Sequence, residues 1–138
     1  MAADMPFLAG PNRKFTEKIH FGCTPTDCRT FSHITGGGLA DNTARVIPDG
    51  LTAIYDRSTW SLPHEMQYLA DLAKVPQADM ERTWNAGIGM VAIVDPGVAE
   101  LTIASLAARG MKAWVAGEVE TTLGTRGSAA LAGTYKSR

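Results

Sequence analysis

Phe31-Ser32-His33-Ile34-Thr35 runs directly into Gly36-Gly37-Gly38, and from Leu39 to Ile47 apolar residues recur at helical spacing until Pro48 stops them. The order is strand, glycine loop, helix. Pro48-Asp49-Gly50 is a turn signal, and Leu51-Thr-Ala-Ile-Tyr55 follows as a β-branched and aromatic strand closed by Asp56 and Arg57. Alternation of strand-like and helix-period segments predicts an α/β (α+β layered) fold.

The pattern continues toward the C-terminus. Met66, Leu69, Leu72 and Ala73 fall at helical spacing behind Ser61, an N-cap residue type, and Pro63, so an amphipathic helix is expected over His64–Ala73, with a second, short one over Gln77–Trp84. Gly87-Ile-Gly-Met-Val-Ala-Ile-Val94 is continuously apolar, as in a strand covered on at least one face, and is expected to be the most buried strand. Asp95-Pro96 opens the next helix, Val98, Leu101, Ala104, Leu106 and Ala108 give its stripe, and Gly110 stands where a C-cap glycine belongs. Ala113–Val119 is the last expected strand, and residues 121–138, rich in Gly, Thr, Ser and Ala, read as a flexible tail. Upstream, residues 1–30 carry Pro6, Gly10, Pro11, Gly22 and Pro25 without a sustained period, and read as an irregular arm with one short strand around Lys18–Phe21. The organised domain is thus expected over 31–120.

A chain of 138 residues is of one-domain size, with 13 Lys and Arg against 14 Asp and Glu. That balance excludes a diffuse positive field for nucleic acid or anionic lipid, but not a small anion held by aimed backbone N–H groups. No apolar run approaches the roughly 20 residues that span a bilayer, and no basic segment followed by an apolar stretch opens the chain, so no membrane partner is expected and the cytoplasm is the expected compartment. Cys23 and Cys28, with His20 and His33 nearby, lack the paired spacing of a zinc module and read as free thiols, with no cofactor needed for folding.

Three consecutive glycines ahead of a helix have two readings. Gly36, Gly37 and Gly38 either leave main-chain N–H groups bare for an anion at the helix's positive end, or permit a tight turn packed on a neighbour. Asn85-Ala-Gly87-Ile-Gly89 has the same ambiguity, because glycines at alternate positions bare one face of the backbone for a ligand or for close packing. Arg45 and Arg57 have the donor fork of a phosphate clamp, although a lone Arg is more often an ion-pair partner. His33 sits on a strand between apolar neighbours and reads first as a structural histidine. No nucleophile–His constellation, carboxylate pair or phosphate-binding lysine loop occurs.

The segment Phe31-Ser-His33-Ile-Thr-Gly-Gly-Gly-Leu-Ala-Asp-Asn42-Thr-Ala-Arg45-Val-Ile-Pro48-Asp-Gly50-Leu resembles the signature of aminoimidazole ribonucleotide synthetases. The likeness continues in order through Asp56-Arg57-Ser-Thr-Trp60, Met80-Glu-Arg-Thr-Trp-Asn85-Ala-Gly-Ile-Gly-Met90 and Ala113-Trp-Val-Ala-Gly-Glu-Val119. It implies the family's C-terminal domain, a mixed sheet with helices packed on it. The implied reaction is phosphoribosylformylglycinamidine cyclo-ligation: ATP-dependent ring closure of formylglycinamidine ribonucleotide to aminoimidazole ribonucleotide in purine biosynthesis. His33, Thr35, Gly36, Gly37 and Gly38 would help hold a substrate phosphate, with Asn85, Gly87 and Gly89 lining the same cleft. No catalytic residue is assigned.

The sequence departs from the family in two ways. The Asp- and Gly-rich domain that supplies most ATP and Mg²⁺ contacts has no counterpart in residues 1–30, and those residues do not resemble the family's helical approach to His33. The resemblance therefore implies a partner, either an N-terminal ATP-binding domain or a separate subunit, and a chain that is inactive alone. A non-catalytic nucleotide-phosphate-binding or regulatory domain, or an inactive truncated fragment, is the alternative, and a homodimer is left open. Kindred selenophosphate synthetases carry an acidic residue where His33 stands; neutral imidazole is a poor Mg²⁺ ligand, so no metal role is transferred to it.

Overall fold

The computed structural model describes residues 28–137 together with the backbone of residues 5–10. Their strands are β1 (Met5–Gly10), β2 (Cys28–His33), β3 (Leu51–Asp56), β4 (Met90–Val94), β5 (Trp114–Thr121) and β6 (Ser128–Ala132), and their α-helices are α1 (Gly38–Ala44), α2 (His64–Ala73), α3 (Gln77–Thr83) and α4 (Ala99–Ala107). Short 3₁₀ turns at Arg57–Thr59 and Pro96–Val98 follow β3 and precede α4. The strands form one mixed sheet in the order β2-β4-β1-β5-β3-β6, antiparallel throughout except for the parallel β3–β6 pair. This is the layered α/β class expected from the sequence.

β4 shows why its sequence is apolar without alternation. All five residues are buried. Val91 and Ile93 join the core that contains Leu39, Tyr55 and Trp60, whereas Met90, Ala92 and Val94 join the core of Ala99, Leu106 and Met111. Side chains alternate across a strand, so a sheet covered on both faces demands apolar residues at every position.

The structure corrects the sequence reading at both ends of the chain. Met5–Gly10, expected within an irregular arm, is a strand between β4 and β5. Proline lacks an N–H for the ladder, but Pro6 lies ahead of the doubly paired stretch: pairing with β4 begins only at Phe7. Residues 128–132, expected in a flexible tail, form β6 on the open edge of β3, where Thr52 Oγ1 and Ser128 Oγ lie 2.8 Å apart. Lys18–Phe21, Cys23 and His20 lie outside the described residues.

Smaller differences concern the helices. Pro63, not Ser61, occupies the N-cap of α2, and Leu69 and Leu72, expected on its buried face, are 50% and 67% exposed while Ala70 is buried. The segment opened by Asp95-Pro96 begins as a 3₁₀ turn, and Leu101 of its expected stripe is exposed. Among the described residues no helix is long and apolar enough to cross a membrane.

Candidate functional site

Strand direction decides which loops meet. His33 and Gly10 both pair with Met90, Ala9 pairs with Trp114, Tyr55 with Gly117, and Asp56 with Ala132. The C-terminal ends of β1, β2, β3 and β6 therefore share one edge of the sheet with the starts of β4 and β5. The glycine loop after β2, the Asp56–Trp60 segment after β3, the Asn85–Gly89 loop before β4 and the chain beyond β6 all emerge there.

The glycine loop is held from within. Asn42 donates through Nδ2 to the carbonyl oxygens of Gly38 (2.7 Å), Thr35 and Gly36 (both 3.3 Å), while its Oδ1 accepts from Thr35 Oγ1 at 3.2 Å and from Arg45 Nη1 at 3.3 Å. One buried amide thus fixes the loop's carbonyls, and Arg45 is directed to Asn42. Asn42 lay inside the quoted motif but was not singled out by the sequence reading, because nothing local distinguishes it from a surface helix residue. Gly37 is the N-cap of α1 with φ 101°, and no side chain caps that helix end. Helix starts leave their first N–H groups without intrahelical partners, so the loop presents donors that no side chain takes. His33, Thr35 and Gly36 are exposed and Gly37 is half-buried.

Gly38 answers to packing. A Cβ there would lie 1.8 Å from the carbonyl oxygen of Glu81, so only glycine lets α1 approach the backbone of α3 this closely. Gly87 behaves similarly, since a Cβ would meet Pro63 Cγ at 2.7 Å. Its N–H donates to Asn85 Oδ1 at 3.0 Å, and Ile34 N–H donates to Gly89 O at 3.0 Å, which ties the second loop to the first. Gly37 and Gly87 nevertheless open into different hollows.

Arg57 is not available as a phosphate clamp. It donates through Nε and Nη2 to Glu81 at 2.8 Å each and through Nη1 to Leu131 O and Gly133 O, while Tyr135 OH donates to Glu81 Oε1 at 2.8 Å. The Arg57 and Glu81 side chains are only 15% and 10% exposed. Burial pushes the Glu81 carboxyl up, but hydrogen bonds from Arg57, Tyr135 and Gln77 outweigh it and hold the group below its ordinary value. Burial, and then the bond to Glu81, raise the Tyr135 phenol well above the usual range. This network latches the segment after β6 onto α3.

Two hollows flank the shared edge. One, of about 340 Å³, adjoins Gly37, Asp41, Glu81 and Arg82. The other, of about 660 Å³, lies between Trp60, Gly87, Trp114 and the two lysines Lys112 and Lys136. Trp60 Nε1 donates to Ala86 O at 3.1 Å, whereas Trp114 Nε1 is buried with no hydrogen-bond partner among the described residues, a state that ordinarily costs about 1–3 kcal/mol. Among the described residues no three His, Cys, Asp or Glu side chains gather to hold a metal ion.

Fold and loops together define a layered α/β domain with two glycine turns gathered at one edge of its sheet. The chain belongs to the family described as AIR synthase related protein, C-terminal domain, whose model matches residues 23–127. A Streptomyces fradiae chain provisionally named for phosphoribosylformylglycinamidine cyclo-ligase is 46% identical over 114 residues, covering 80% of this chain and 62% of that one. The phosphoribosylformylglycinamidine cyclo-ligase of Anaeromyxobacter sp. (strain Fw109-5) is 37% identical over 85% of this chain and 34% of its own length. The chain thus spans less than two thirds of either relative. Among solved structures, hydrogenase maturation protein HypE, also solved in complex with ATP, shares the fold with a TM-score of 0.63 at 12% identity, over 95% of this chain and about half of HypE.

Proposed function

We propose that this chain is the C-terminal part of a phosphoribosylformylglycinamidine cyclo-ligase acting in purine biosynthesis in the cytoplasm. The whole enzyme closes the ring of formylglycinamidine ribonucleotide: the γ-phosphoryl group of ATP passes to the formyl amide oxygen, the amidine nitrogen attacks that carbon, and phosphate leaves with the oxygen. This chain's part is to position the substrate and balance its charge. The backbone of Thr35–Gly38 grips the ribonucleotide phosphate and His33 stands at the mouth of the loop, while the Asn85–Gly89 loop, tied to it by the Ile34–Gly89 hydrogen bond, opens onto the neighbouring hollow at Gly87 and positions the rest of the substrate from there. ATP and Mg²⁺ are held mainly by an N-terminal ATP-binding domain or separate subunit, and no metal step is assigned to these residues.

The observation that carries the reading is the uncapped start of α1, held open by Asn42 and bonded to the second glycine loop through Ile34 and Gly89. The family match supports it. The purified chain alone is expected to release no ADP when given substrate and ATP, and adding a family ATP-binding domain in trans should restore turnover. Turnover by the chain alone would refute the division of labour. Phosphate-ester binding without restored turnover would favour a non-catalytic binding domain.

A further inference from the structure

We infer that an apolar stripe along α2 docks the polypeptide that holds ATP, an inference that rests on the division of labour proposed above. Glu65, Tyr68, Leu69 and Leu72 stand at i, i+3, i+4 and i+7, which sets them on one stripe of the helix. Tyr68, Leu69 and Leu72 are 59%, 50% and 67% exposed, and Glu65 is exposed as well. The helix is anchored from its other side by Ala70, which joins the core of Val91 and Ile93. The other exposed large apolar side chains among the described residues, Leu101 and Leu123, sit on separate elements. Single apolar groups in water need no explanation, whereas adjacent large ones mark an interaction surface.

Three observations name the occupant. The stripe adjoins the shared edge of the sheet, because Pro63, the N-cap of α2, is the residue on which Gly87 packs. A partner that delivers ATP has to reach that edge, so a surface contiguous with it falls within the partner's footprint. The Anaeromyxobacter relative has only 34% of its length matched by this chain, which leaves most of that polypeptide to pack against the matched part. Charge decides between this partner and a second copy. α2 carries Glu65 at the head of the stripe and Asp71 in its last turns, with no Lys or Arg. Two copies would set acidic helices against each other, whereas an apolar groove with a Lys or Arg opposite Glu65 would match the stripe in both respects.

The test is equilibrium binding by the 138-residue chain, with no turnover required. The probe is the part of the Anaeromyxobacter relative outside the match, shown to be folded by its own saturable binding of ATP, and complex formation is followed by sedimentation. A one-to-one complex is expected. Tyr68→Ala and Leu72→Glu should each raise its Kd about tenfold or more. Glu65→Lys should raise it about threefold, a penalty that fades as salt is added. Leu101→Glu, the same kind of change on α4 at the other face of the sheet, should leave Kd unchanged. The altered side chains lie in water, so each variant should keep the wild-type urea midpoint. No complex, or a Kd indifferent to both Tyr68→Ala and Leu72→Glu, would overturn the docking surface. So would self-association of the chain that Leu72→Glu disperses, which would give the stripe to a second copy. Binding through the stripe without turnover would keep the surface and sink the cyclo-ligase reading, and turnover restored equally by Leu72→Glu at limiting concentration would do the reverse.

Discussion

The two hollows of the shared edge were reached by different routes. The one beside Gly37 is announced by consecutive residues, a glycine run ahead of a helix, and its loop is fixed by Asn42 a few positions on. The one beside Lys112 and Lys136 is assembled from segments after β3, before β4, before β5 and after β6. Sequence motifs reveal sites whose chemistry is local, and charge gathered from distant segments becomes visible only when the sheet has brought the segments together.

The sharpest way to break the comparison is at Gly38. Gly38→Ala puts a Cβ on the Glu81 carbonyl and should cost about 4 kcal/mol or more, seen as a lost or strongly shifted urea transition. A near-native midpoint would mean that α1 does not need its close approach to α3.

Glu81→Gln comes next. It weakens the latch that delivers Lys136 to its hollow, and a loss of about 1–3 kcal/mol at neutral pH is expected in chemical denaturation. Because the folded carboxyl titrates below its ordinary value of 4.5, its stabilisation is complete above that pH and drains away as pH falls through the lower, folded value. The variant should lack that part of the acid slope, and identical slopes would remove Glu81 from the account. The smallest effect on stability is expected at Gly37, where a Cβ would meet nothing closer than Asn42 Nδ2 at 3.7 Å. Gly37→Val should stay folded, cost about 1–2 kcal/mol for its positive φ, and abolish the turnover restored in trans. Full turnover would return the loop to the role of a tight turn.

Much of the fold was legible because its signals are periodic. β4, β5 and α4 follow from an apolar run, a second short strand-like run over Ala113–Val119 and a stripe closed by Gly110. β1 was illegible because Pro6, Gly10 and Pro11 punctuate a short run that becomes a strand only by filling a gap between two others, and Ser128-Ala-Ala-Leu-Ala132 has little β propensity of its own. Leu69 and Leu72 mark the opposite failure, since helical spacing fixes which residues share a stripe without saying that the stripe is covered. In the site, the glycine run was legible but its division of labour was not. Gly38 serves helix contact and Gly37 the uncapped turn, a difference set by Glu81 more than forty residues away.

The place of β1 has a consequence for any shorter version of the polypeptide. A product begun after Gly10 would keep the family-matched residues 23–127 yet leave β4 and β5 facing each other across an unfilled seam, each with a bare row of main-chain donors and acceptors. Such a seam invites strand invasion by another molecule, so Met5–Gly10 acts as a built-in guard against self-adhesion.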